Sequence, residues 1–347
     1  MSQPAASASP AGAPDAAAHE SRLKHFPITF FATSMGLGGF TLALKAGAAP
    51  LGLGMQPFQY ALYATLGVFG LVALVYLLKA LLHPKAVSGE WHHPVRLAFF
   101  PTFSVSILII ATALMSVSRP LAEMAWWAGT VLQGVLTLAV ISGWIGTRSF
   151  QHGHLNPAWF IPAVGNVIVP VAGAPLGYME ISWLFFSAGM MFWLVLLTLV
   201  FNRLIFHDPL PGRLQPTFVI MIAPPAVAFI AWMRLHGVAP VTPGAVGMHA
   251  GVDAFAHVLL SIGYVFAALV VVQLPRILRL PFALSFWALS FPVAALTIAS
   301  FLYAETVHSQ PHLMIATGLL AVLAVLIVTL VVRTLVAILR HEICHPE

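Results

Sequence analysis

Apolar runs alternate with short polar, Gly-rich or Pro-rich segments along almost the whole chain. Ten of these runs reach about 20 residues, the length that an α-helix needs to cross a bilayer core of roughly 30 Å. The predicted spans cover residues 25–45, 57–82, 95–117, 121–147, 157–178, 180–205, 215–235, 248–274, 282–304 and 311–339. The pattern predicts an all-α integral membrane protein, with ten transmembrane helices in one domain over residues 21–341.

The composition excludes a soluble fold. Of the 347 residues, 60% are hydrophobic and only 7% are charged, with a mean hydropathy of +0.95, whereas soluble domains carry about a quarter charged residues. Residues 1–20 are rich in Ala, Ser and Pro and resemble no signal peptide, so we expect a disordered tail there and a short C-terminal tail over 342–347. The single cysteine, Cys344, excludes an intrachain disulfide and a Cys-x-x-Cys redox motif.

The basic residues are distributed unequally between the two sides of the predicted membrane domain. An even number of spans places both termini on one side. Of the 15 Lys and Arg residues, only Lys45, Arg119 and Arg234 fall on the opposite side. Because cytoplasmic loops are enriched in Lys and Arg, we expect both termini in the cytoplasm.

Odd-numbered and even-numbered spans differ in sequence. Apart from their ends, the odd spans lack Asp, Glu, Lys and Arg, and each carries proline. These prolines are Pro27, Pro101, Pro162 and Pro170, Pro224 and Pro225, and Pro292. This recurrence indicates a helical hairpin repeated five times, with five proline-kinked helices around a central pore and five straighter helices outside. A single proline also has an ordinary explanation, since Pro27 can simply begin its helix.

Several motifs in the odd spans carry a family resemblance. They are His25-Phe26-Pro27, Phe99-Phe100-Pro101, Pro157-Ala158-Trp159-Phe160-Ile161-Pro162, Ala223-Pro224-Pro225 and Ser290-Phe291-Pro292. Together they resemble the tellurite-resistance and dicarboxylate transporter family, which includes bacterial TehA homologues and the slow-type anion channels of plant guard cells.

The resemblance implies a protomer of five helical hairpins around a pseudo-fivefold axis, packed as a homotrimer in the bacterial inner membrane and in contact with lipid. It also implies that a phenylalanine of the ninth helix closes the pore, and the motif places this gate at Phe291. The residues expected to line the pore or kink its helices are Pro27, Pro101, Pro162, Asn166, Pro225 and Pro292.

The predicted pore offers an anion no cation near its middle. Candidate polar groups are Thr33, Ser34, Thr102, Ser104, Ser106, Asn166, Thr217 and Ser290. Ser and Thr side chains in helices commonly bond back to their own backbone, whereas the amide of Asn166 requires a partner or pore water. Because the cost of desolvation rises steeply with charge, we expect conduction of small monovalent anions such as nitrate or chloride.

Two other functional classes stay open at this stage. A proton-coupled carrier of C4-dicarboxylates, sulfite or tellurite would need intramembrane titratable groups, and Asp253 with His257 could supply them from one face of the eighth span. A haem protein is disfavoured because most of the histidines lie at predicted helix ends. Lys45 and Glu305, near the outer mouth, are either surface anchors or, in the case of Lys45, a means of attracting anions. No enzyme activity, metal, cofactor or nucleic acid is expected.

Overall fold

Ten long apolar helices make up the computed structural model, which describes residues 22–146, 150–237, 251–340 and 342–343. They are α1 (Ile28–Ala48), α2 (Gln56–Leu82), α3 (Arg96–Leu114), α4 (Arg119–Gly146), α5 (Pro157–Leu176), α6 (Met179–Phe206), α7 (Gly212–Leu235), α8 (Ala254–Ile277), α9 (Leu284–Val307) and α10 (Gln310–Leu339). The prediction of an all-α, ten-helix membrane protein is confirmed. The predicted tail over residues 1–20 lies outside the described residues, as does most of the predicted tail over 342–347.

Helix ends differ from the predicted ends by a few residues for local reasons. The fifth span ends at Leu176 because Gly177 adopts a left-handed conformation with φ of 101°, which terminates a helix. The eighth begins at Ala254, six residues later than predicted, since the Asp253 side chain caps the helix there. The first span is shifted to begin at Ile28, directly after Pro27.

The helices pair into five hairpins that surround one axis. Each odd helix packs against the even helix that follows it. The odd helices also contact one another in sequence order, and α9 contacts α1, so that the inner ring closes. Within their most apolar windows the odd helices are 67–83% buried and the even helices only 17–33%. The division into five inner and five outer helices is therefore confirmed.

The inner and outer helices also differ in backbone conformation. Each odd helix begins with a 3₁₀ segment, namely Ile28–Phe30, Arg96–Phe99, Pro157–Trp159, Gly212–Ile222 and Leu284–Leu289. Each even helix is one uninterrupted α-helix. The prolines lie at or close to the change from 3₁₀ to α, as Pro101 does directly before the α segment Thr102–Leu114. A missing N–H costs little there, because the first turn of an α-helix has no internal acceptor for it.

The first described residues and the end of α10 lie at the same end of the ring, where the Arg22 guanidinium donates to the carbonyl of Ile338. We call this end the termini side and the other end the opposite side. A short helix, Pro84–Trp91, lies on the termini side between α2 and α3.

Candidate functional site

Two cavities lie inside the ring of odd helices. The inner cavity has a volume of about 40 Å³ and is lined by apolar residues from all five odd helices. Its lining includes Met35 of α1, Val105 of α3, Ile161 of α5, Ile220 of α7 and Phe291 of α9. No ionisable or hydroxyl side chain lines this cavity, so a charged species there would lose its hydration without compensation from a side chain.

The second cavity, which we call the vestibule, is larger and charged. Its volume is about 290 Å³, and it is formed near the ends of the odd helices on the opposite side. Lys45 of α1, Arg234 of α7 and Glu305 of α9 line it. A space of this size holds several water molecules, so a hydrated ion can enter it.

Phe291 lies where the two cavities meet. It lines both of them, together with Ile168 and Val227, and its side chain is 8% exposed. A close approach of α1 and α9 places it there: a Cβ atom on Gly39 would lie 3.1 Å from Phe291 Cδ2 and 2.9 Å from Ala294 Cβ. Glycine at position 39 therefore gives the Phe291 ring the room that it occupies, as small residues do at tight membrane helix contacts.

The predicted prolines occupy different positions relative to the cavities. Pro292 lines the inner cavity, whereas in α7 the lining residue is Pro224 rather than Pro225. Pro101 and Pro162 are buried but are not among the residues that line either cavity. Pro27 precedes the first 3₁₀ segment of α1.

Six of the seven predicted pore-facing hydroxyl groups bond to their own helices instead, and the seventh, Ser34, is buried without a hydrogen-bond partner among the described residues. None of them lines either cavity. Those that donate to a carbonyl three or four residues earlier are Thr33, Thr102, Ser104, Ser106, Thr217 and Ser290. For Thr33, Thr102, Thr217 and Ser290 the accepting carbonyl belongs to a 3₁₀ segment, and such local bonds are common for Ser and Thr in helices.

Asn166 is part of a buried polar network between α4 and α5. Its Nδ2 donates to the carbonyl of Ala163 at 2.8 Å, and Thr137 Oγ1 of α4 lies 3.2 Å from its Oδ1. Gln133 Nε2 of α4 donates to the carbonyl of Pro162 at 3.2 Å. The amide of Asn166 is thus satisfied within the protein, and Asn166 itself belongs to a second 3₁₀ segment of α5, Gly165–Ile168.

Sequence reasoning missed Gln133, which is fully buried in an outer helix. A glutamine in the middle of an apolar span was a usable signal, because an unpaired amide in hydrocarbon is costly. A Cβ atom on Gly165 would lie only 2.7 Å from Gln133 Nε2. Gly165 lines the inner cavity, so Gln133 packs directly behind the cavity wall.

A buried ion pair holds the start of α1 on the termini side. Lys79 Nζ of α2 lies 2.8 Å from Glu90 Oε2 of the short helix, with exposures of 2% and 3%. Glu90 also accepts from Tyr76 Oη at 2.9 Å and from the Ile28 N–H at 3.2 Å, while Lys79 donates to the carbonyl of Phe26 at 2.8 Å. Glu90 lies in a connection between spans, and hydropathy alone contained no signal for its role.

Asp253 and His257 line neither cavity. Asp253 Oδ1 accepts from the Ala256 N–H at 2.8 Å and its Oδ2 from Trp232 Nε1 at 2.9 Å. Partial burial acts to raise the pKa of Asp253, but these hydrogen bonds outweigh it and hold the pKa below its usual range. The carboxylate thus has a structural role as the cap of α8.

Ten spanning helices around an axial pair of cavities define a helical membrane protein of the channel or transporter class. Comparison with known sequences identifies the group within that class. Residues 25–335 match the SLAC1 family, described as voltage-dependent anion channel, and the chain belongs to this family.

Individual relatives include two plant proteins and one bacterial protein. The S-type anion channel SLAH3 of Arabidopsis thaliana is 26% identical over 90% of this chain and 48% of its own length. The guard cell S-type anion channel SLAC1 of the same plant is 26% identical over 94% of this chain and 58% of its own length. The tellurite resistance protein TehA homolog of Haemophilus influenzae is 27% identical over 66% of each chain.

The chain therefore spans about half the length of these two plant relatives. The expected resemblance to the TehA and plant slow-type channel family is confirmed. These relatives bear the names of channels or resistance proteins, in agreement with the prediction that the chain is not an enzyme.

Proposed function

We propose that this protein conducts small monovalent anions, such as nitrate or chloride, along the axis of the five odd helices, with Phe291 as the gate. The observation that carries the proposal is the position of Phe291, which lines both the charged vestibule and the apolar inner cavity. Membership in a family of anion channels supports anions as the transported species.

The contrast between the cavities supports weakly hydrated ions. The vestibule can hold a hydrated anion, whereas the inner cavity offers about 40 Å³ and only apolar side chains. An anion must lose most of its water between them, and this loss costs far more for a dianion than for a monovalent ion. Hydrophobic constrictions of this kind also gate by excluding water.

A proton-coupled carrier is the second candidate. The titratable groups among the residues that line the two cavities are Lys45, Arg234 and Glu305. All three lie in the vestibule, so no titratable relay continues past Phe291 along the described lining. For this reason we favour a channel over a carrier of C4-dicarboxylates, sulfite or tellurite.

The proposed membrane orientation and surroundings of the protein rest mainly on its sequence. The predicted spans assign twelve of the 15 basic residues to the side of the termini, which supports cytoplasmic termini in a bacterial inner membrane. The even helices expose apolar side chains such as Leu71, Leu138 and Val325, which suits contact with lipid and with neighbouring protomers. A homotrimer is proposed on the family resemblance alone.

The test is current recording from purified protein in planar bilayers, under nitrate, chloride and malate. Phe291→Ala should raise the nitrate current about tenfold or more, which corresponds to a barrier lower by ~1.4 kcal/mol. Malate current should stay well below nitrate current in both proteins. Phe301→Ala is the matched control, since Phe301 lies on the same helix and lines only the vestibule.

An equal rise in current in both variants would remove the special role of Phe291. A malate current larger than the nitrate current would overturn the proposed selectivity. Uptake of an anion against its concentration gradient, driven by a pH gradient, would favour the proton-coupled carrier.

A further inference from the structure

The vestibule carries two cationic side chains, which a space beside the gate does not by itself require. It brings together two cations from helices that are distant in sequence, Lys45 of α1 and Arg234 of α7. The two are close enough to interact electrostatically. Like charges brought together in a confined space raise the energy of the protein, and a bound anion relieves that cost.

The two cations are available to a ligand. Among the described residues, no carboxylate lies within ion-pair distance of Lys45 or Arg234. Lys45 Nζ instead lies 5.9 Å from the centre of the Phe58 ring, a contact that positions the ammonium group and leaves its N–H groups free to donate. The Arg234 side chain is exposed, and its guanidinium has no hydrogen-bond partner in the described part of the chain.

Glu305 supplies the only carboxylate among the residues lining the vestibule. It interacts electrostatically with Arg234 but forms no ion pair with it. The three ionisable groups sum to a net charge of +1, which matches a single monovalent anion. Glu305 therefore weakens the positive field without abolishing it.

We propose that Lys45 and Arg234 form a recruitment site for planar oxyanions, such as nitrate or a carboxylate, at the vestibule. A guanidinium is a rigid planar fork that donates two parallel N–H bonds to two oxygens of one planar anion. Spherical chloride can accept hydrogen bonds from the guanidinium, but it has no pair of oxygens to match the two parallel N–H groups. The site selects anions by shape before the constriction at Phe291 selects them by their cost of dehydration. The role of the site in conduction rests on the proposed function.

The experiment uses full-length protein carrying Phe291→Ala, so that the gate does not limit current. The half-saturating concentration of nitrate and of chloride is measured from the vestibule side at low ionic strength. Arg234→Gln and Lys45→Gln should each raise both concentrations severalfold. Arg234→Lys keeps the charge and loses the fork, so it should raise the value for nitrate severalfold and leave that for chloride within twofold.

These effects should shrink in 1 M salt, where the screening length falls to ~3 Å. Arg340→Gln, at the end of α10 on the termini side, is the control and should change neither value. Equal shifts for nitrate and chloride in Arg234→Lys would overturn recognition by shape. Unchanged values in both glutamine variants would overturn the site itself.

A binding measurement separates this proposal from the proposed function. Nitrate that binds the native protein raises its unfolding temperature in detergent by mass action. The rise should be present in the wild type and reduced in Arg234→Gln. If it follows this pattern while no variant conducts anions, the site stands and the proposed channel function fails. If nitrate raises the unfolding temperature of both proteins equally, the site is wrong.

Discussion

Glu90 and Glu305 are carboxylates at opposite ends of the same ring of helices, and their surroundings are opposite too. Glu90 is 3% exposed, pairs with Lys79 and accepts from the Ile28 N–H at the start of α1. Glu305 is exposed in the vestibule and forms no ion pair among the described residues. The comparison teaches that charge near the ring is structural where it is buried and paired, and available to ions where it is open.

Breaking the buried pair should have the largest effect on stability. Glu90→Gln leaves Lys79 as a buried charge without a counter-ion, and such a change costs about 3–5 kcal/mol. The free energy of unfolding can be followed by titrating SDS into detergent micelles that contain the protein. The double variant Lys79→Met with Glu90→Gln should recover much of the loss, because no unpaired buried charge remains. A loss below about 1 kcal/mol for the single variant would show that the pair does not hold this end of α1.

Asp253 is intermediate between the two glutamates, since it is exposed but bonded to Ala256 N–H and Trp232 Nε1. Asp253→Ala removes the cap of α8 and should cost about 1 kcal/mol at pH 7. The folded-state pKa lies below the unfolded value of ~3.9. The stabilisation is therefore fully present above that value and is lost as pH falls through the folded pKa.

The difference in stability between the wild type and Asp253→Ala should accordingly shrink as pH is lowered from 7 to 3. Asp253→Asn is the control, because asparagine caps helices well and does not titrate. If the stability difference between the wild type and Asp253→Ala stays constant over this pH range, the ionised Asp253 carboxylate is not the cap of α8.

Changing Glu305 should have the smallest effect on stability. Glu305→Gln should change the free energy of unfolding by no more than about 0.5 kcal/mol, as is usual for an exposed side chain that forms no ion pair. In the Phe291→Ala background it should lower the half-saturating nitrate concentration roughly threefold at low salt, because a nearby negative charge contributes up to ~1 kcal/mol in water-like surroundings. Glu180→Gln, in the first turn of α6 and outside the vestibule lining, should not alter that concentration. Equal effects from both variants would remove the distinction between vestibule and general surface charge.

The hydropathy pattern predicted the ten helices and their division into inner and outer sets, because both depend on the composition of each segment. The prolines of the odd spans were a correct sign that these helices are irregular. The irregularity takes the form of 3₁₀ segments at the helix starts, which hydropathy could not specify. Phe291 was chosen by resemblance, and its role as a gate stays a prediction.

Other features depended on contacts that no local pattern encodes. Most of the hydroxyl groups expected to face a pore bond to their own backbone, as Ser290 does to the carbonyl of Trp287 at 2.6 Å. The sequence placed Arg234 opposite the termini, and the structure has it at that end of the ring, but the sequence did not identify it as a lining residue. Its position next to Lys45 depends on how α1 and α7 are rotated within the ring.

By itself the sequence determined that this chain crosses a membrane ten times as five hairpins, because the burial of an apolar segment of sufficient length in lipid is a local property. The tertiary structure alone decided which side chains meet around the axis. Lys45, Arg234 and Glu305 come together from positions far apart in the chain, while Gln133 reaches the back of the wall at Gly165. These meetings follow from the closure of the inner ring, which sets the rotation of every helix through its contacts with two neighbours.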